Sequence, residues 1–227
     1  MRITIAPQYR PVAERTFARN PAIPYRVAES GQGLTLEIPD AALSPHARQQ
    51  IRLHFSYLDL FEWRGASVVD VRFWERAERF SDVARDFAAL TADLHYDLLA
   101  PIEARGFLLG GMLGHALGLP MLPVRKDRPS YGRLAGVANQ NSRVPFTNWK
   151  GEAEALFVFS RPWAEGQRAL IVDDLLDTGH SLAAAIEALA GVGCVPVGAF
   201  YLCDVLPEER CTAFRIPIRA FVRQRSL

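Results

Sequence analysis

The stretch Ala169-Leu-Ile-Val-Asp-Asp-Leu-Leu-Asp-Thr-Gly-His-Ser-Leu182 decides how the chain folds. Four apolar residues run into an adjacent acid pair, Asp173 and Asp174. A small polar turn follows, Asp177-Thr178-Gly179-His180-Ser181, and then a run with helical spacing from Leu182 to Ala190. That order predicts a buried strand, a tight loop and a helix N-terminus, the place where open α/β sheets hold ligands. The first amides of a helix lack an internal partner, and the helix dipole adds positive character there, so an anion is well held. Gly179 lets the backbone approach a ligand closely, while Thr178 and Ser181 add hydroxyl donors. Asp173 and Asp174 can only accept hydrogen bonds or bind a hard cation; they suit a sugar diol, Mg²⁺, or both. A phosphate seat beside a diol clamp describes a ribose 5-phosphate site.

Upstream of this stretch the pattern is β-α-β. Asp97 to Pro101 reads as a buried strand, Ile102 to Phe107 as a loop, and Leu108 to Leu117 as a helix rich in small residues. Gly118-Leu119-Pro120 stops that helix, and Met121 to Val124 forms a strand ending in Arg125-Lys126. Short connections of this kind predict parallel neighbours joined right-handed. Ser81 begins an amphipathic helix to about Leu94, with Val83, Phe87, Leu90 and Leu94 at helical spacing. Residues 127–150 hold no periodic element, and a polar stretch of that length inside a domain reads as a lid over a site. Glu152 to Phe159, Leu170 to Val172 and Val195 to Leu202 are expected strands, and Arg215 to Val222 a closing one.

The N-terminal part is harder to read. Residues 1–33 are rich in proline, arginine and glycine and only weakly periodic, with Ile3 to Ile5 and Leu34 to Ile38 as candidate short strands. Ser44-Pro45 has the signature of an N-cap followed by proline at the first helical position, opening a helix to about Leu58. The aromatic run from Leu58 to Trp63 is expected in a core or a subunit interface. Ser67 to Val71 is another strand candidate. The division expected is a hood or small subdomain over residues 1–66 and an α/β core over 67–227, with a flexible loop at about 127–150.

Composition narrows the class. At 227 residues with 49% hydrophobic content, the chain fits one α/β domain with an added segment. A formal net charge of +1 argues against a general nucleic-acid or membrane surface. Cys194, Cys203 and Cys211 show no metal-ligand spacing, and with no signal-peptide pattern they are expected as reduced thiols in a cytoplasmic protein. No Walker A loop and no Gly-x-Gly-x-x-Gly occurs, which removes the two commonest nucleotide-binding fingerprints.

The acid pair and Thr-Gly-x-Ser loop resemble the 5-phosphoribosyl 1-diphosphate (PRPP) motif of type I phosphoribosyltransferases. Glu103-Ala-Arg-Gly-Phe-Leu-Leu-Gly110, followed by Leu119-Pro-Met-Leu-Pro-Val-Arg-Lys126, resembles the adenine phosphoribosyltransferases most. Together these motifs cover roughly residues 78–222. The resemblance implies an open, mostly parallel sheet with helices on both faces and an atypical N-terminal segment as the hood. It implies a PRPP-dependent pentosyltransferase of nucleotide salvage that carries the phosphoribosyl group to a nucleobase nitrogen, a purine such as adenine favoured. Mg²⁺ as cofactor, a homodimer, and PRPP with a small nucleobase-like acceptor as partners follow from the same likeness, with no nucleic acid or membrane. The 5-phosphate would sit on Asp177, Thr178, Gly179, His180 and Ser181, and the diphosphate near Glu103, Ala104, Arg105, Arg125 and Lys126. Asp173, Asp174 and Asp177 are the candidate catalytic residues, the first two also as metal-binding groups, directly or through ribose hydroxyls and water.

The chain departs from that family at several places. Arg125-Lys126 continues into Asp127-Arg-Pro-Ser rather than Gly-Lys-Leu-Pro. Thr147-Asn148-Trp149-Lys150 stands where the family loop carries a glutamate. Asp177 replaces an alanine, as in hypoxanthine-type enzymes where an acid there faces the base, and His180 replaces a glycine. These differences keep two other readings open: a specialised biosynthetic transferase with a non-purine acceptor, and a PRPP-sensing regulator without catalysis.

Overall fold

In the computed structural model, which describes residues 1–31, 33–127, 141–148, 150–211 and 213–224, the first third of the chain builds two small antiparallel units. Strands β1 (Arg2–Ile5), β2 (Arg26–Ser30) and β3 (Gly33–Glu37) form a sheet in the order β1-β3-β2, with helix α1 (Arg10–Ala18) between the first two. Helix α2 (Pro45–Ser56) opens as expected, with the Ser44 hydroxyl accepting from the Ala47 amide at 3.1 Å. A hairpin of β4 (Phe61–Arg64) and β5 (Ser67–Val71) ends this part.

Helix α3 (Phe80–Leu90), strand β6 (Leu98–Pro101), helix α4 (Arg105–Leu117) and strand β7 (Arg125–Lys126) come next. Strands β8 (Asn141–Thr147), β9 (Ala153–Phe159) and β10 (Arg168–Leu176) lead to helix α5 (His180–Ala190). Strand β11 (Val195–Asp204), the short α6 (Glu208–Cys211) and strand β12 (Ile218–Arg223) complete the chain.

The main sheet runs β12-β11-β10-β6, parallel throughout. Amides of Leu122 and Val124 donate to the carbonyls of Leu99 and Pro101, both at 2.9 Å, and add residues 121–124 as a further parallel rung beyond β6. The chain therefore steps from β6 to one side and returns past it to β10 on the other. Such a reversal opens a crevice at the C-terminal ends of β6 and β10, where doubly wound sheets take their ligands. Alternation along β10 explains the two covered faces: Leu170 and Val172 pack with Leu109 and Leu113 of α4, while Ala169 and Ile171 pack with Leu182 and Ala185 of α5.

The N-terminal third is fused to this core. Phe17, Leu36 and Ile51 belong to the same buried apolar cluster as Leu170, Phe200 and Phe221. Polar ties reinforce the joint along the edge strand β12. Gln50 of α2 donates to the carbonyls of Ala220 and Phe221 at 3.0 and 3.1 Å, and one turn later His54 Nδ1 accepts from the Arg223 amide at 3.1 Å.

Several expectations change in detail. The segment read as weakly periodic contains α1 and β2. Helix α4 begins at Arg105, inside the expected loop. Strand β10 runs on through both acids to Leu176 instead of stopping at Val172. Residues 125–126 leave the main sheet and join a second, antiparallel one, β7-β9-β8. Of the loop expected over 127–150, Asn141–Thr147 is strand β8, paired along its length with β9; residues 128–140 and 149 lie outside the described residues. Phe61 is buried and Trp63 half-buried, its indole N–H donating to the Leu58 carbonyl at 2.8 Å, so this aromatic run packs largely against the interior.

Candidate functional site

A cleft of about 570 Å³ lies at the crevice between the C-terminal ends of β6 and β10. It is lined by Glu103, Ala104, Arg105, Lys126, Asp173, Asp174, Asp177, Thr178 and Ser181, brought together from three separate stretches of chain. Gly179 is buried behind the loop and His180 faces solvent, its Nδ1 2.7 Å from the Thr147 carbonyl. Arg125 is not part of the lining; its Nε stands 3.6 Å from Glu103 Oε2.

The acid pair is built by the strand itself. Successive residues of a strand point to opposite faces, so Asp173 and Asp174 diverge from one backbone. The amide of Asp174 donates to Asp173 Oδ1 at 2.9 Å, which fixes the first carboxylate. Burial, together with the neighbouring Asp174, holds the Asp173 carboxyl well above its ordinary range. Burial also raises Asp174, opposed by the Arg105 guanidinium. Arg105 Nε lies 2.8 Å from Asp174 Oδ2, and its Nη1 lies 3.2 Å from Asp70 of β5, with the Trp74 ring 5.7 Å away. Gly106, next in the chain, has to be glycine: a Cβ there would stand 2.9 Å from both Asp173 Oδ1 and the Val172 carbonyl. The loop and the acid strand touch backbone to backbone at that point.

On the other wall, Gly179 turns the chain into α5 with φ +79°, a left-handed conformation that glycine adopts freely. Among the described residues no side chain caps the helix, and its first turn closes when the Ala183 amide reaches the Gly179 carbonyl at 3.0 Å. Uncapped amides facing a cleft are what an anion needs.

The cations at the third corner are held by carboxylates. Lys126 Nζ sits 3.0 Å from Glu154 Oε2, and the Lys126 amide donates to Glu103 Oε2 at 3.2 Å. Burial raises Glu154, yet the Asn148 amide at 2.7 Å and Lys126 outweigh it, so the carboxyl is held below its ordinary range. Glu103 can only accept, so it acts here as a strut between the loop and β7 rather than as an anion ligand.

The sequence does not single out the rest of the lining: Val68 and Val69 of β5, Ile102, Leu175, and Glu154 and Leu156 of β9. Phe146 and Asn148, around the end of β8, also line the cleft and fall within the stretch expected as a lid. The apolar run Ala155-Leu-Phe-Val-Phe159 marks a strand, but nothing local says which side meets the cleft. Among the described residues no group of three or more His, Cys, Asp or Glu side chains gathers at one point. Two neighbouring carboxylates suit a hard cation that keeps substrate oxygens and water in its shell, and Asp174 Oδ2 is buried with, among the described residues, only the Arg105 ion pair to meet it.

Comparison with known proteins agrees with this geometry. Residues 76–210 match the Phosphoribosyl transferase domain. The adenine phosphoribosyltransferase of Maricaulis maris is 36% identical over 130 residues, covering 56% of this chain and 69% of that protein. The corresponding protein of Chlorobium chlorochromatii is 39% identical over 105 residues, 46% of this chain and 54% of its own length. The chain thus spans between about half and two thirds of these relatives. Among solved structures, adenine phosphoribosyltransferase from Thermoanaerobacter pseudethanolicus superposes with a TM-score of 0.60 at 23% identity, covering 74% of this chain and 98% of that one. The Trypanosoma brucei enzyme, solved with AMP, pyrophosphate and ribose-5-phosphate, gives 0.60 at 16% identity over 83% of each chain. At such identities the agreement establishes the fold.

Proposed function

Because the chain belongs to the phosphoribosyltransferase family, we propose that it transfers the 5-phosphoribosyl group of PRPP to a ring nitrogen of a nucleobase, a purine such as adenine, and releases diphosphate. The observation that carries this reading is the meeting of an uncapped helix start, an acid pair and a cationic loop on one cleft. The 5-phosphate sits on the amides and hydroxyls of residues 177–181, and the ribose hydroxyls donate to Asp173 and Asp174. The diphosphate takes Arg105 and Lys126, which exchange their carboxylate partners for it. Asp173 and Asp174 would hold Mg²⁺, which would supply positive charge against the departing diphosphate.

The acceptor nitrogen bonds to C1 as the C1–oxygen bond to diphosphate breaks, and the acceptor's N–H proton is lost. Positive charge builds on the ribose ring in between, beside two carboxylates, while cations gather the charge that departs. Asp177, exposed at the mouth of the phosphate loop, is the group assigned to the acceptor or its proton. Val68, Val69 and Phe146 give the acceptor an apolar wall. A cytoplasmic location, a homodimer and an N-terminal hood complete the proposal; no described helix is long and apolar enough to cross a membrane.

Calorimetric titration with PRPP and Mg²⁺, followed by diphosphate release across a panel of purines and pyrimidines, tests this reading. Turnover with one base class is expected. Replacing both acids, Asp173→Asn with Asp174→Asn, should lower turnover at least about a thousandfold, since both ribose contacts and the charge stabilisation go together. Binding of PRPP without turnover on any base would sink the transferase assignment, and unchanged activity in the double variant would sink the role of the acids.

A further inference from the structure

The connection between β11 and β12 lies against the back of the phosphate loop. Arg210, on the short α6, donates from Nη1 to the carbonyl of Thr178 at 3.1 Å. Phe214 packs against Gly179: a Cβ added there would stand 2.8 Å from Phe214 Cζ and 3.3 Å from Leu206 Cδ1. The peptide between Thr178 and Gly179 is trans, so its C=O and N–H point in opposite directions. A group gripping the carbonyl from behind therefore aims the Gly179 amide forward. A cation in that position also polarises the peptide and strengthens its N–H as a donor. Arg210 does not line the cleft, and 32 residues separate it from its partner.

We propose that Arg210 is a positioning residue for the ribose 5-phosphate seat, acting through the Thr178–Gly179 peptide with Phe214 as its backstop. The inference rests on the reading of residues 177–181 as a phosphate site. Arg210 is exposed, so its replacement leaves the core untouched. The test compares the intact protein with Arg210→Ala and Arg210→Lys by calorimetry, using ribose 5-phosphate and, separately, diphosphate with Mg²⁺. Losing one charge-assisted hydrogen bond behind the loop should weaken ribose 5-phosphate about tenfold in the alanine variant. Diphosphate affinity and the melting temperature should stay unchanged, and the lysine variant should recover most of the loss. Equal ribose 5-phosphate affinity in all three proteins overturns the proposal. So does a loss shared equally by both ligands, or a lysine variant no better than alanine. An unsubstituted protein that fails to bind ribose 5-phosphate at all overturns the phosphate site itself, a result separable from any difference between variants.

Discussion

Arg105 illustrates how far a single side chain outruns its local sequence. Its motif marks it as an anion ligand, and the strand–loop–helix context explains why it points at a crevice. In the folded chain it bridges Asp174 and Asp70, 35 residues upstream. No local pattern announces Asp70, because the contact exists only after the β4–β5 hairpin has folded over the sheet. The acid pair was legible for the opposite reason: two carboxylates ending a buried apolar strand have no structural use that a hydrophobic residue would not serve better. Gly106 offers a sharp check at this scale. Gly106→Ala would press a methyl into Asp173 Oδ1 and the Val172 carbonyl, and one of these has to move. We expect destabilisation of about 1–3 kcal/mol from the overpacking and at least a tenfold loss of PRPP affinity. Chemical denaturation and calorimetry read the two effects, and normal affinity would mean that the loop tolerates displacement from the acid strand.

Elements were readable where one face is buried and ambiguous where burial is thin. Helix α1 escaped the periodicity because Thr16 occupies an interior position; its hydroxyl bonds the Val12 carbonyl at 2.8 Å and His54 Nε2 at 3.0 Å. Strand β8 looks like a loop, being polar with a proline at its centre, yet Val144 is buried and β9 supplies the partner that fixes it. Its turn is made by Asn148, whose Oδ1 accepts from the amides of Lys150 and Glu152 at 2.9 and 3.0 Å. The β4–β5 hairpin matters to the site through Asp70, which shares Arg105 with Asp174. Both partners of that pair are about half exposed, so the contact contributes little to stability. Asp70→Asn should move the melting temperature by less than about 3 °C. Releasing Arg105 from a competing carboxylate should tighten diphosphate binding about threefold. Weaker binding in the variant would show instead that Asp70 orients the arginine.

The molecule as a whole is held by the seam between its N-terminal third and the sheet, and that seam is sensitive to pH. His54 is fully buried, accepts from the Arg223 amide at Nδ1 and thus donates from Nε2 to Thr16. Burial pushes its pKa from 6.5 down to about 3. Between those values the unfolded chain binds a proton that the folded one refuses, so stability falls as pH drops through that window and is fully present above 6.5. From this group alone, moving from pH 7 to pH 5 should cost about 2 kcal/mol, read by urea denaturation at the two pH values. His54→Gln should flatten that slope, and an unchanged slope would place the acid sensitivity elsewhere. Sequence could not supply this seam, since Gln50 and His54 look like ordinary polar helix residues until the strand they touch, some 170 residues on, is in place. The same contacts reach beyond the single molecule. A bare border strand is a template on which a neighbour can zip itself, the first step toward fibres. One border here is covered by α2, and the opposite one carries Pro120 and Pro123, which cannot donate to an added strand. Copies crowded together or warmed would have to peel α2 away before stitching onto this border, so joining there should begin where that helix detaches.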